Sequence, residues 1–193
     1  MNKAMAKTKS ELRKQLRMLR NTISLYARDR ASHKLCANLN DCGFFAKNLK
    51  LAFYLASDGE INTLPSINLA RKTGCKIYIP SVKKDKRLRF HRYGLFSVLK
   101  NNKYNIAEVN SAEISPIQLD VIFLPVVGFD RKGQRLGMGG GYYDRTLDKL
   151  QITRHRPLLV GLAYQLQEIK HLQTDAWDIS LDCIVTEKEV IDC

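Results

Sequence analysis

Between Asp130 and Asp144 the chain reads Asp-Arg-Lys-Gly-Gln-Arg-Leu-Gly-Met-Gly-Gly-Gly-Tyr-Tyr-Asp. Gly137, Gly139, Gly140 and Gly141 fall within five residues, framed by Arg131, Lys132 and Arg135 on one side and Tyr142, Tyr143 and Asp144 on the other. Glycines can take positive φ and turn several backbone N–H groups toward one centre, and a following helix adds partial positive charge at its N-terminus. Such a loop suits an anion, phosphate above all. The spacing is not the dinucleotide G-x-G-x-x-G, because Tyr142 stands where the last glycine would be, and no Gly-Lys-Ser/Thr of a P-loop occurs. A plain glycine-rich corner is the alternative reading. Arg135 brings forked donors and a permanent charge to a phosphate held by loop amides. Asp144 either complements a helix dipole or takes Mg²⁺ beside nucleotide phosphates. Asp182 is the candidate second ligand, provided that its strand runs antiparallel or its loop folds back. Glu60 is a turn acid beyond a strand, and Tyr142, Tyr143 and Trp177 offer flat faces that either stack on a heterocycle or pack against a sheet.

These residues need a scaffold that brings distant segments to one edge. Leu119 to Pro125, just ahead of the glycines, reads as a buried strand, as do Leu51 to Leu55, Lys76 to Pro80, Pro157 to Ala163 and Cys183 to Thr186. Arg87 to Tyr93 alternates polar with apolar, the pattern of a strand with one wet face. Thr8-Lys-Ser-Glu11 has capping-box spacing and opens a helix whose Leu12, Leu16, Leu19 and Ile23 are expected to share the buried face. Lys9, Arg13, Arg17 and Arg20 fall about a quarter turn away, where they either rim a cleft or form a solvated cationic face. Further helices are expected from Tyr26 to Asn40, from a cap at Asn62 or Thr63 to Gly74 with Pro65 in the first turn, and from Tyr143 to Leu150. Strands alternating with helices predict an α/β domain over residues 1–193, a mainly parallel sheet covered on both faces. Ligands of such sheets sit beyond the carboxyl ends of the strands. That edge gathers Leu55 to Glu60, the segment after Pro80, the glycine loop and the segment after Ala163.

At 193 residues the chain has room for one such domain, and no apolar run approaches the roughly twenty residues that cross a bilayer. The N-terminus lacks the apolar centre of a secretory signal, so the expected compartment is the cytoplasm. Five cysteines without C-x-x-C and four histidines without H-x-x-x-H argue against a zinc site and a disulfide framework, and the odd count of scattered cysteines fits a reducing compartment. The net charge of +13 draws anions to the surface: nucleic acid, a phosphorylated cofactor or a polycarboxylate. Lys83 to Arg92 mixes bases with an aromatic and is the best nucleic-acid patch, yet no RNA-binding signature accompanies it, which favours a solvated strand face.

Val127 to Leu147 as a whole resembles the signature of the 5-formyltetrahydrofolate cyclo-ligases, or methenyltetrahydrofolate synthetases. Lys9-x-x-x-Arg13, Gly59-Glu-Ile-Asn-Thr63, Tyr104-Asn-Ile-Ala-Glu108 and Ala176-Trp-Asp-Ile-Ser-Leu-Asp182 follow the same family's order. The resemblance implies a three-layer α/β/α, Rossmann-like fold of the NagB/RpiA/CoA-transferase-like type. It implies an enzyme that uses ATP and Mg²⁺ to convert 5-formyltetrahydrofolate, which can carry a polyglutamate tail, to 5,10-methenyltetrahydrofolate. Lys9, Arg13, Arg135, Gly137, Gly139, Gly140, Gly141 and Tyr143 are then expected to bind ATP, with Arg135 and Tyr143 catalytic. Leu55, Glu60, Met138, Gly139, Gly140, Gly141 and Tyr142 are expected to face the folate, and Asp144 and Asp182 to bind magnesium. A monomer without nucleic-acid or membrane partners is expected. The chain departs from the family's pattern at Val109, where proline is common, and between Gln165 and Thr174, where a proline is often found. A nucleotide- or RNA-binding module, or a cyclo-ligase-like enzyme with another small substrate, are the alternatives.

Overall fold

The computed structural model describes residues 7–101, 107–109, 111–150, 153 and 156–193. The segment 104–106 of the Tyr104–Glu108 motif and His155 lie outside them. Four α-helices occur among the described residues: α1 (Lys9–Asn21), α2 (Leu25–Asp41), α3 (Leu64–Lys72) and α4 (Tyr142–Leu147). The strands are β1 (Lys50–Ala52), β2 (Lys76–Val82), β3 (Leu88–Arg92), β4 (Leu99–Asn101), β5 (Ala107–Val109), β6 (Glu113–Ile114), β7 (Val121–Pro125), β8 (Gly128–Phe129), β9 (Arg135–Leu136), β10 (Leu158–Leu162), β11 (Cys183–Val185) and β12 (Val190–Asp192).

Eight strands form one sheet in the order β12-β11-β10-β7-β1-β2-β3-β6. The five central strands from β11 to β2 are parallel, and antiparallel partners close both edges. A mainly parallel α/β sheet is what the alternation of elements predicts. The physical cause is visible in the central strands, where successive apolar residues serve two different cores. Leu51, Phe53, Ile77, Phe123, Val160 and Val185 pack with Leu35 and Leu39 of α2 and Ile67 of α3. Ala52, Tyr78, Ile122, Leu124, Leu159 and Ile184 pack on the other face with Leu147, Leu150, Ile179 and Leu181. The second layer is thin, because α4 has six residues and the stretch around Ile179 lacks regular structure.

Helix α1 begins with the expected capping box: the Thr8 hydroxyl accepts from the Glu11 N–H and the Glu11 carboxylate accepts from the Thr8 N–H. Its buried stripe differs from the expected one. Leu16 is buried and Leu12 partly so, but Leu19 is 42 % exposed and Arg20 is 1 % exposed. Successive i+4 positions advance only about 40° around a helix, so Leu12, Leu16 and Arg20 form one ridge, while Leu19 turns about 60° to the other side of Leu16. The short strands β6, β8, β9 and β12 and the β4–β5 hairpin have no strong periodic signal and are additions to the expected set. Among the described residues no helix is long and apolar enough to cross a membrane.

Candidate active site

The carboxyl ends of β1, β2 and β7, helix α1, the glycine loop and the segment Asp175–Ile179 enclose a cavity of about 840 Å³. Its wall includes every residue expected to bind ATP or folate: Lys9, Arg13, Leu55, Glu60, Arg135, Gly137, Met138, Gly139, Gly140, Gly141, Tyr142 and Tyr143, together with Asp144.

Arg135 is delivered by the β8–β9 hairpin. Buried Asp130 fixes the turn, accepting the N–H groups of Lys132 at 3.0 Å and Gln134 at 3.1 Å, and ties it to Leu172 N–H at 3.0 Å. Arg131 is thereby pointed away from the cavity, where it pairs with Glu168 and Glu189. Neither Arg131 nor Lys132 lines the cleft, so the frame of bases around the glycines reduces to Arg135 at its floor. Arg135 is 9 % exposed; its Nη2 donates to Asp144 Oδ1, and its buried Nε has no protein partner.

The loop itself needs glycine at Gly139 and Gly141, whose φ angles are +93° and +63°. Gly141 caps α4, but with six residues that helix adds little dipole, so cationic side chains and loop amides must carry an anion. Arg13 Nε donates to the Gly137 carbonyl at 2.8 Å, pinning the loop to α1. Arg145, a residue without a role in the sequence reading, donates to the Gly140 carbonyl, lies over the Tyr142 ring and lines the cavity.

Lys9 Nζ sits 2.6 Å from Asp175 and 2.7 Å from Asp178. Burial opposes the Lys9 charge, but the two aspartates outweigh it and raise its pKa. Burial likewise pushes the Asp178 carboxyl up, and the Asp175 N–H and Lys9 pull it below its ordinary value. Asp175 and Asp178 are site residues that spacing alone does not reveal. They flank Trp177 in an irregular segment, and their connection to the cleft is the long-range contact with Lys9.

Glu60 closes a turn by accepting the Ser57 N–H at 2.9 Å. Burial raises its pKa, against the opposing pull of that N–H and of Arg20. Tyr143 is pushed up as well, by burial and then by the Glu60 charge, which favours the protonated phenol, a group able to donate a hydrogen bond.

Asp182 corrects the expected metal pair. It precedes β11, which runs parallel to β10, and therefore lies at the amino edge of the sheet, across from the cavity. There it pairs with Arg156 at 2.7 Å and accepts the Leu159 N–H at 2.8 Å. Burial raises its pKa, but Arg156 and the Leu159 N–H prevail and lower it. A depressed carboxyl stabilises the fold above its unfolded pKa of about 3.9 and loses that contribution as pH falls through the folded value. Asp182→Asn is expected to cost about 1 kcal/mol at neutral pH and to flatten the acid limb of urea denaturation below about pH 4. An unchanged acid limb would contradict this assignment.

Four cationic and five acidic side chains line the cavity: Lys9, Arg13, Arg135 and Arg145 against Glu60, Asp144, Asp148, Asp175 and Asp178. The site is therefore not cationic, in spite of the net charge of +13. Among the described residues no group of three or more histidines, cysteines or carboxylates converges to hold a metal ion. This donor set suits a hard cation that arrives with a phosphate ligand and keeps most of its water, with one carboxylate from the protein.

A model of the 5-formyltetrahydrofolate cyclo-ligase family matches residues 5–187. The chain is 41 % identical over 141 residues to a Haemophilus influenzae protein named 5-formyltetrahydrofolate cyclo-ligase, covering 70 % of this chain and 73 % of that one. The solution structure of Aquifex aeolicus 5,10-methenyltetrahydrofolate synthetase superposes with a TM-score of 0.80 at 35 % identity, covering 95 % of this chain and 92 % of the other. A Mycoplasma pneumoniae 5,10-methenyltetrahydrofolate synthetase gives 0.76 at 26 % identity, with coverage of 94 % and 100 %.

Proposed function

The chain belongs to the 5-formyltetrahydrofolate cyclo-ligase family, and on that premise we propose that it converts 5-formyltetrahydrofolate to 5,10-methenyltetrahydrofolate with ATP and Mg²⁺. The observation that carries this reading is the single cleft lined by all the family-matched site residues except Asp182. ATP phosphates lie on the side of Lys9, Arg13 and Arg135, and the folate lies across Leu55, Glu60 and Met138 to Tyr142.

An amide-like formyl oxygen is a poor leaving group, so the N10 amine cannot close the ring directly. In the proposed reaction the formyl oxygen attacks the γ-phosphorus of ATP, the bond to the bridging oxygen breaks, and ADP leaves. The N10 lone pair then closes on the activated formyl carbon; its C–O bond breaks, phosphate departs and the N10 proton is lost. The chain needs no nucleophile of its own. Its work is alignment and charge stabilisation: Arg135 and the loop N–H groups meet the transferring phosphoryl group, and Arg13 keeps the loop in place. Tyr143 donates its O–H and does not serve as a base. Asp144 is the residue fitted to hold Mg²⁺, which when bound shields the triphosphate in a cleft whose own charges nearly cancel.

Formation of methenyltetrahydrofolate, followed by absorbance, tests the proposal. Product is expected only with 5-formyltetrahydrofolate, ATP and Mg²⁺ together; formation without ATP, or none with all three, refutes it.

The β2–β3 turn supports a polyglutamate tail as part of the substrate. Val82 and Leu88 at its base line the cleft, and Lys84 and Lys86 are exposed at its tip. Tighter binding of polyglutamated than monoglutamated substrate is expected at low salt, shrinking as the Debye length falls to about 8 Å at physiological ionic strength. Lys84→Glu with Lys86→Glu should abolish the difference; equal binding of both substrates by the unaltered enzyme would exclude the assignment.

A further inference from the structure

We propose that Arg20 is the positioning residue for Glu60: from within α1 it holds the Asp58–Gly59 turn that carries Glu60 into the cleft. The inference rests on the reading of that wall as the folate side.

Arg20 is the largest of the fully buried side chains among the described residues. Its Nη2 donates to the Asp58 carbonyl at 2.6 Å and to Asp58 Oδ2 at 2.8 Å. Arg17, nearly one turn earlier, donates to the same carboxylate from Nε at 2.8 Å and Nη2 at 3.0 Å. The turn needs such anchoring, because Asp58 at φ +47° and Gly59 at +74° are successive left-handed residues, and aspartate does not rest there without cost. On its other side, a Cβ on Gly59 would lie 2.5 Å from Asn21 Oδ1 and 3.0 Å from Arg28 Nη1. Arg28 is itself fixed to the Ile23 carbonyl at 3.0 Å and the Arg20 carbonyl at 3.3 Å. The path of the turn, and hence the place where Glu60 enters the cleft, is set by the end of α1.

Stability does not account for this arginine. Its Nε and Nη1 are buried without a partner, whereas an apolar side chain on the Leu12–Leu16 ridge would bury no charge at all. What Arg20 adds is a fixed geometry for Asp58 and a positive charge behind Glu60. The groups that act on the Glu60 region are Arg20 from α1, Asp58 from the turn, Tyr54 beyond β1 and Tyr143 from α4.

The full-length enzyme is compared with Arg20→Met, Arg20→Lys, Asp58→Asn, Glu60→Gln and the Arg20→Met/Glu60→Gln double variant. KM for 5-formyltetrahydrofolate, KM for ATP and thermal midpoint are measured. Arg20→Met is expected to raise the folate KM about tenfold or more and leave the ATP KM within about twofold. Arg20→Lys should recover part of the loss, and the double variant should be little worse than Glu60→Gln alone. If Arg20→Met does not fold, Asp58→Asn, whose side chain is 30 % exposed, must give the same split. A folate KM raised by Glu60→Gln but untouched by Arg20→Met (or by Asp58→Asn in its place), or equal losses for both substrates, overturns the proposal alone. A folate KM unchanged in Glu60→Gln overturns the reading of the wall, and the proposal with it.

Discussion

Arg135→Ala is expected to lower turnover by about three orders of magnitude, equivalent to roughly 4 kcal/mol of transition-state stabilisation. The magnitude follows from position. Arg135 lies at the cleft floor beneath the glycine loop, nearly excluded from solvent, where a guanidinium interacts with developing charge far more strongly than it would in water. Lys9 and Arg13 reach the cleft from α1, Lys9 between Asp175 and Asp178 and Arg13 with its Nε on the Gly137 carbonyl, so neither stands in the place that Arg135 takes from β9. Arg135→Lys should recover only part of the rate, since an ammonium is a point charge without the fork that spans two oxygens. The alanine variant also leaves Asp144 without its cation, so some loss of stability is expected, limited because Asp144 is partly exposed. Single-turnover kinetics on folded protein separate the two effects. Turnover within about tenfold of the unaltered enzyme would remove Arg135 from the phosphoryl-transfer site.

The legible part of this site was the part encoded locally. Gly137 to Asp144 carries its signal in consecutive residues, and the buried strand before it fixes the edge at which it emerges. The Thr8–Glu11 capping box likewise fixes where α1 begins, and so places Lys9 and Arg13. What could not be read depends on strand direction and long-range contacts. Asp182 has the residue type of a magnesium ligand, but a parallel β11 sends it to the far edge. Asp175 and Asp178 enter through a lysine more than 160 residues away. Arg20 reads as one more base on a polar stripe, although its helical angle is close to that of Leu16; the choice between Leu19 and Arg20 for the buried side is made by Asp58, on another segment. The net charge misled for a related reason: it belongs to the surface, while the cleft is nearly balanced.

That balance makes Asp144 the second decisive residue. In Asp144→Asn the side chain keeps its shape and loses its charge, so the cleft retains its walls and Arg135 keeps an oxygen acceptor. Turnover at millimolar Mg²⁺ is expected to fall by about one to two orders of magnitude, and the Mg²⁺ concentration for half-maximal rate to rise about tenfold. Binding of ATP without Mg²⁺ should hold steady or tighten, because a carboxylate facing the triphosphate has been neutralised. Calorimetric titration with ATP, in the presence and absence of Mg²⁺, measures this opposition directly and does not depend on turnover. Asp182→Asn is the control: on the far edge of the sheet, it should leave the Mg²⁺ requirement unaltered. Because Asp144 touches both Arg135 and the proposed ion, Arg135→Ala combined with Asp144→Asn should cost less than the sum of the separate losses. Additive losses, or a Mg²⁺ requirement unmoved by Asp144→Asn, would mean that the aspartate serves only to hold Arg135 and that the ion is carried by the nucleotide alone.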